Sequence, residues 1–123
     1  MNTTKNIISV VPHNNFRTLD LALQAAGTAI ALVDRVPPKL KTIADQLIRS
    51  ASSVPANLAE GHGRTGRARV NHYRIAYGSA KEVDVHLRLL ASAGAIDSSK
   101  TNEALELFDR VRAMVWRLVN PRR

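Results

Sequence analysis

Apolar residues recur at steps of three and four along four stretches of the chain, which is the period of helices that each bury one face. The stretches cover residues 16–35, 39–60, 67–93 and roughly 100–119. No segment alternates apolar and polar residues as a half-buried strand would. Because the connections are short, the pattern predicts an all-α fold, an antiparallel up-down-up-down four-helix bundle.

The same pattern predicts the core positions and the helix ends. The core stripe of the first helix is Leu19, Leu23, Ala26, Ile30 and Val33. That of the third helix is Val70, Tyr73, Tyr77, Ala80, Val83, Leu87 and Leu90. Thr18 is the expected N-cap of the first helix and Gly94 the C-cap of the third, and Asp-Ser-Ser at 97–99 is expected to cap the fourth.

Pro55 falls inside the second apolar stripe. A proline cannot donate a hydrogen bond to the carbonyl of Ala51 and its ring crowds that turn, so we predict a kinked second helix. Two short helices meeting at Pro55 are the alternative. One kinked helix is favoured because the apolar register continues past the proline. Ser52 and Ser53 are expected to bond to the groups that it frees.

Gly61, Gly63 and Gly66 have the G-x-G-x-x-G spacing of a dinucleotide-binding turn. That turn requires a preceding strand, whereas a helix precedes these glycines, so a Rossmann-type site is excluded. The glycines mark a loop between two helices. Two roles stay open for it: the loop only reverses the chain, or it binds an anion through Arg64 and the free N–H groups of the next helix.

Charge is unevenly distributed along the chain. Eighteen Lys and Arg against ten Asp and Glu give a net charge of +8. Residues 61–81 contain five basic residues and no acidic one, and so do residues 110–123. Such clustering indicates a polyanionic partner such as a nucleic acid, and a merely solvated surface is the alternative.

A row of basic residues follows the third helix at intervals of seven: Arg67, Arg74, Lys81 and Arg88. Seven residues are almost two turns, so the row advances in steps of about 10 Å, a spacing that suits a phosphate backbone. Asp84 is expected to neutralise one end, and a solubilising flank is the alternative interpretation. The predicted nucleic-acid-binding residues are Arg64, Arg67, Arg69, Arg74, Lys81, Arg88, Arg110 and Arg117.

A second stripe lies roughly opposite the core face of the third helix and consists of Ile75, Gly78, Glu82, Val85 and Leu89. The outer face of a helix in a monomeric bundle is normally polar, so this stripe predicts self-association. Scattered exposed apolar residues are the alternative. Within an interface Glu82 would need a basic partner, because an unpaired buried carboxylate is costly.

No group of residues points to catalysis or to a cofactor. The four histidines lack the H-x-x-x-H spacing of a helical zinc site, and the serines have no nucleophile context. Convergence of Glu60, His62 and His72 on a metal or as a general base is the one alternative. We therefore expect no enzyme, no cofactor and no metal.

The aromatic residues give little support to recognition of bases. Tyr73, Tyr77 and Phe108 fall on predicted core stripes, and Phe16 and Trp116 have no assigned role. Stacking would need exposed aromatic rings among the basic residues. Recognition of phosphates and of nucleic-acid shape is therefore expected instead.

The length allows one domain. We expect residues 1–15 to be a flexible N-terminal segment, 16–119 to form the bundle and 120–123 to be a basic C-terminal tail. The N-terminal segment is a poor signal peptide, and no apolar run approaches the ~18–20 residues of a membrane span. The mean hydropathy of −0.15 argues against a membrane protein. Because the chain has no cysteine from which to read a redox compartment, the cytoplasm is the default expectation.

The stretch LIRSASSVPANLAEGHGR at 47–64, followed by YRIAYGSAKEVDVHL at 73–87, carries a family resemblance. It resembles a bacterial family of four-helix-bundle proteins. That family includes proteins encoded in intervening sequences of 23S rRNA genes and the accessory variability determinants of diversity-generating retroelements. The matching positions are Arg49, Ser53, Pro55, Asn57, Leu58, Ala59, Glu60, Gly61, Ala76, Gly78, Ser79 and Glu82. His62 stands where the family has an aromatic residue.

The resemblance implies an antiparallel four-helix bundle that assembles as a homopentamer. For the retroelement branch it implies a basic assembly that binds a reverse transcriptase and its template RNA, and the branch is open. Together with the charge pattern, it leads us to expect an oligomer that binds RNA or a ribonucleoprotein. A structural oligomer or protein-binding adaptor without a nucleic-acid ligand is the alternative.

Overall fold

Four helices form the structure, a computed structural model that describes residues 16–121. They are α1 (Arg17–Leu32), α2 (Lys41–His62), α3 (Gly66–Ser92) and α4 (Ser98–Val119), and a 3-10 turn at Pro38–Leu40 leads into α2. No strand occurs in this range. The segment 1–15, predicted to be flexible, and the last two residues of the predicted tail lie outside the described residues.

The helices pack in a cyclic order. The most extensive interface is between α2 and α3, while α3 also packs on α4, and α1 packs on both α2 and α4. Consecutive helices joined by short loops and packed mainly on their neighbours form an up-down-up-down bundle. The predicted all-α four-helix bundle is confirmed.

The core follows the predicted stripes on α3 and α1 with two exceptions, Val70, which is half-buried at the surface, and Leu23. On α1 the predicted residues Leu19, Ala26 and Val33 are buried, and Ile30 packs against the core. On α3 the residues from Tyr73 to Leu90 that face inward are buried, and Tyr77 lies at the edge of the core. On α1 four alanines face inward, each at most 5% exposed: Ala22, Ala25, Ala26 and Ala29. Leu23, predicted to be in the core, is 46% exposed. Small side chains thus make up much of the inward face of α1, together with Leu19 and Val33.

Two of the predicted helix ends are correct. The Asp97 carboxylate accepts a hydrogen bond of 2.9 Å from the backbone N–H of Lys100, so Asp97 is the N-cap of α4. Gly94, just past the end of α3, has a φ of +77° that favours glycine. The N–H of Ala95 then donates to the carbonyl of Leu90 at 2.9 Å, as in a Schellman motif.

The predicted N-cap Thr18 is wrong. Helix α1 begins at Arg17, with Phe16 at the N-cap position, and Thr18 is buried in the first turn. The Phe16 ring stacks on His62 with centroids 4.5 Å apart and lies 6.3 Å from the Tyr73 ring. Packing of Phe16 against the end of α2 accompanies this earlier start of the helix.

Helix α2 continues through Pro55 as one Pro-kinked helix, as predicted. The expected role of the neighbouring serines is wrong. The Ser52 hydroxyl donates to the carbonyl of Arg49 at 3.1 Å, and the Ser53 hydroxyl lies 2.9 Å from the hydroxyl of Ser79 on α3. Ser53 thus joins two helices rather than repairing the break at the proline.

Candidate nucleic-acid and assembly surfaces

A ladder of hydrogen bonds crosses the interface between α2 and α3. Asn57 Nδ2 donates to the carbonyl of Ser53 at 2.9 Å and to its hydroxyl at 3.0 Å. Asn57 Oδ1 lies 3.0 Å from Nδ1 of His72, and the Ser53–Ser79 contact extends the ladder. Half-buried polar groups that satisfy one another fix the register of two helices. This ladder was not predicted from the sequence, although the spacings 53/57 and 72/79 place each pair on one helix face.

The glycine loop has a packing role. A Cβ at Gly61 would stand 2.8 Å from Cε1 of Tyr73 and 3.1 Å from Cβ of His72, so only glycine fits without a shift. Gly66, at the start of α3, has a φ of +59°. The loop therefore requires glycine at one position for close approach and at another for backbone conformation.

Two predicted nucleic-acid-binding residues near this loop already have partners. Arg64 Nη2 lies 2.6 Å from Oε2 of Glu60, and this hydrogen bond and the charge of Arg64 lower the pKa of Glu60. Arg69 donates to the carbonyls of Gly61 at 3.2 Å and His62 at 3.0 Å, where the helix dipole of α2 favours a cation. A phosphate would have to compete with these bonds.

The basic row on α3 is different in this respect. Arg67, Arg74 and Lys81 are exposed, and across residues 16–121 none of them has a hydrogen-bond or ion-pair partner. A shallow pocket of about 390 Å³ lies between the first two of these residues. Its lining is Arg67, Ala68, Val70, Asn71 and Arg74. Three cations on one face are thus free to bind an external anion.

The fourth member of the row is neutralised, as predicted. Arg88 Nε lies 2.7 Å from Oδ1 of Asp84, and this contact raises the pKa of Arg88. Asp84 Oδ2 also lies 3.4 Å from Nη1 of Arg112 on α4, which in turn pairs with Asp109. The free part of the row therefore ends at Lys81.

The two predicted residues on α4 lie in different surroundings. Arg117 is exposed. Arg110 lines an open groove of about 1000 Å³ between α1 and α4. The acidic residues of that groove are Asp34, Asp97, Glu103, Glu106 and Asp109. Because α1 and α3 are not neighbours in the bundle, the structure does not bring Arg110 to the basic row.

The second stripe of α3 faces solvent. Ile75 is 43% exposed, Val85 59% and Leu89 46%, and a Cβ on Gly78 would meet nothing within 4 Å. In the single chain, the outer face of α3 is therefore largely apolar over about four turns. The predicted self-association through this face stays a prediction.

Glu82, in the middle of the stripe, has a weak partner on its own helix. Its Oε2 lies 3.7 Å from Nε2 of His86, and the carboxylate is half exposed. Both ring nitrogens of His86 are buried, and neither has a hydrogen-bond partner among the described residues.

The three residues weighed as a metal or general-base cluster have separate contacts. Glu60 pairs with an arginine, His62 stacks on an aromatic ring and His72 bonds to an asparagine. Between residues 16 and 121, no group of three or more side chains able to ligate a metal lies together. In the same range no helix is long and apolar enough to cross a membrane.

The chain's single tryptophan contacts α3, the helix that carries the basic row. Trp116 on α4 is 56% exposed, and its ring centroid lies 6.1 Å from that of Tyr77 with an interplanar angle of 51°. Tyr77, predicted to be in the core, is only half-buried. The sequence assigns Trp116 no role, because its position on α4 does not reveal which aromatic ring of α3 it contacts.

Comparison with protein families gives a match over most of the chain. A family model described as 23S rRNA-intervening sequence protein matches residues 14–117. The chain belongs to this family. A crystal structure of a protein with unknown function from the S23 ribosomal protein family of Bacteroides thetaiotaomicron superposes on this intervening-sequence family member with a TM-score of 0.73. The two are 20% identical over 83% of this chain and 97% of that chain, so this likeness shows the fold alone. Comparison with curated proteins gave no match.

In this 23S rRNA-intervening sequence family member, the residues that carried the resemblance serve two regions. Ser53, Asn57, Gly61 and Ser79 hold α2 against α3. Gly78 and Glu82 lie on the exposed stripe. The free cations of the basic row lie outside the set that carried the resemblance.

Proposed function

We propose that this protein is a non-enzymatic, oligomeric four-helix bundle that binds RNA or a ribonucleoprotein through the free cations of α3. The observation that carries the proposal is the exposed row of Arg67, Arg74 and Lys81, which has no acidic partner in the described part of the chain. Membership in a family named for 23S rRNA supports RNA as the polyanion. A cytoplasmic location is part of the same proposal.

The row has a length that suits a nucleic-acid backbone. From Arg67 to Lys81 it spans about 21 Å along the helix at 1.5 Å per residue. Cations that bind phosphates release the condensed counterions of the nucleic acid, which drives binding without regard to sequence. Arg67 and Arg74 both line the shallow surface pocket, so a phosphate bound there would lie beside both residues.

Self-association multiplies this effect. The apolar stripe lies beside the basic row on α3, so copies joined through the stripe would bring several rows onto one assembly. The family resemblance implies five copies. In such an assembly a cation from the neighbouring subunit would complete the weak Glu82–His86 pair, whose atoms lie 3.7 Å apart.

An adaptor that binds a protein is the second candidate, and the groove between α1 and α4 favours it. Apolar side chains of α1, α4 and the loop before α4 lie there among five acidic and three basic ones, the basic ones being Arg35, Lys100 and Arg110. The groove thus suits an amphipathic segment of a protein with a small excess of positive charge. A reverse transcriptase, the partner that the retroelement branch implies, belongs with this candidate.

Charge reversal tests the proposal. The row variant carries Arg67→Glu, Arg74→Glu and Lys81→Glu, and the matched control carries Arg17→Glu, Lys39→Glu and Lys41→Glu at exposed sites outside the row and the groove. Both lower the net charge equally. Fluorescence anisotropy of a labelled structured RNA at low salt measures affinity, and circular dichroism checks the helices.

We expect the row variant to lose RNA binding while the control keeps most of it, with both remaining helical. Equal losses in the two variants would mean that only net charge matters. Unchanged affinity of the row variant would refute the proposed interface. If the wild type does not bind RNA, and if the row variant still pulls down a protein partner, the adaptor is favoured.

A further inference from the structure

The indole of Trp116 packs near one aromatic ring, and more than half of the residue is open to solvent. It lies 6.1 Å from the ring of Tyr77, centroid to centroid, and 56% of the residue is exposed. Tyr77 itself packs against the bundle core. Burial of an aromatic ring is one of the larger stabilising contributions in a fold, so a tryptophan left this exposed forgoes stability that an inward position would give.

The charges around this pair of rings are mainly positive. On α3, Arg74 lies three residues before Tyr77 and Lys81 four residues after it, which places both on the same side of the helix as the ring. Arg117 follows Trp116 and is exposed. Asp84 and Asp109 lie seven residues away from the two rings, about 10 Å along each helix, and both are already paired with arginines.

An exposed aromatic face between cations has the chemistry of a single-strand binding platform. A nucleobase stacks on the indole because every base has a π-face, and the phosphates on either side of it bind the neighbouring cations. A base within a duplex is stacked on both faces by its neighbours and cannot do this without being extruded.

We propose that Trp116, supported by Tyr77, stacks an unpaired base of the bound RNA while Arg74 and Lys81 hold the adjoining phosphates. This inference rests on the proposed RNA binding and specifies its ligand: a single-stranded segment, loop or end. It differs from the expectation drawn from sequence, which was recognition of phosphates and shape without stacking.

The lone tryptophan makes the test direct, because all indole emission comes from Trp116. We would titrate the full chain with a single-stranded oligoadenylate of about sixteen nucleotides and with a G·C-rich RNA duplex of the same length, which stays paired at low salt. Stacking quenches the emission, so we expect strong quenching by the single strand and little by the duplex. Labelled single strand then gives affinities for Trp116→Leu, Trp116→Phe and the control Leu23→Ala, which alters another exposed apolar residue.

We expect Trp116→Leu to weaken single-strand binding roughly 5- to 150-fold, the range for loss of one base–aromatic stack. Trp116→Phe should recover part of that loss, and Leu23→Ala should bind as the wild type does. Circular dichroism of each variant confirms that the bundle is folded.

Three results would overturn the inference. If the single strand binds without quenching and Trp116→Leu retains wild-type affinity while the row variant fails, stacking is wrong and the proposed function stands. If emission changes with protein concentration and not with RNA, another copy of the chain covers the indole. If neither nucleic acid binds the wild type at low salt, the proposed function and the inference fall together.

Discussion

The contact between Gly61 and Tyr73 gives a prediction whose size follows from the geometry. In Gly61→Ala the new methyl group would stand 2.8 Å from Cε1 and 2.9 Å from Cδ1 of a tyrosine that is only 4% exposed. Ordinary carbon–carbon contacts begin near 3.5 Å, so the ring or the end of α2 must move by roughly 0.7 Å. Such overpacking costs about 1–3 kcal/mol, and the better helix propensity of alanine returns at most about 1 kcal/mol. We expect a net loss of about 1–2 kcal/mol in the free energy of unfolding.

Gly27 provides the matched control for this substitution. It lies on the exposed side of α1, and a Cβ there would meet nothing within 4 Å. Gly27→Ala should therefore stabilise the protein by up to about 1 kcal/mol. Urea unfolding followed by far-UV circular dichroism measures both variants. If Gly61→Ala proves as stable as Gly27→Ala, the argument that the end of α2 requires close approach to Tyr73 is refuted.

Three further predictions concern assembly, the polar ladder and pH. Leu89, on the second stripe of α3, and Leu23, on α1, are both 46% exposed. Sedimentation should find Leu89→Glu dissociated, because it places a charge in the proposed interface, and Leu23→Glu assembled. Identical behaviour of the two variants would contradict self-association through the stripe. Asn57→Ala should cost about 1–3 kcal/mol in urea unfolding by leaving His72 without its partner, whereas no loss would make the ladder incidental. Burial raises the pKa of Tyr73 above its ordinary value of 10.0, so the stability it contributes is complete below that pH and lost as pH rises through the raised value. Between pH about 9 and about 11, the free energy of unfolding should fall less for Tyr73→Phe than for the wild type. Equal falls would contradict a raised pKa of Tyr73 as the source of this pH dependence.

The helices could be predicted because apolar period and capping agree at most points. The α3 stripe and the caps at Gly94 and Asp97 depend on residues close in sequence. On α1 the period alone could not separate two neighbouring faces, because alanine and leucine both count as apolar. The bundle buries the alanines together with Leu19 and Val33 and leaves Leu23 in solvent.

The sequence predicted that the candidate surface lies on α3, but it did not show which of its cations have no acidic partner. The pairs Glu60–Arg64 and Asp84–Arg88 have i,i+4 spacing and are readable from sequence. The bonds of Arg69 to the end of α2 depend on tertiary packing. Only the folded chain therefore separates the free cations from those that hold the bundle together.

The meeting of Trp116 with Tyr77 also depends on tertiary packing. The two residues are 39 positions apart, and their contact requires the register of α4 on α3. The Arg112–Asp84 pair, with atoms 3.4 Å apart, joins the same two helices. A helical pattern gives the face of each residue but not this register.

The salt dependence of RNA affinity tests the central claim most directly. Anisotropy of a labelled single strand, measured across a salt series, gives the slope of log affinity against log salt, which is about −0.7 for each phosphate contact. With three free cations per chain, the account predicts a wild-type slope of about −2 or steeper. The variant with Arg67, Arg74 and Lys81 reversed should have a slope shallower by about 2. Binding that is insensitive to salt, or an unchanged slope in that variant, would contradict the claim that these cations hold the RNA.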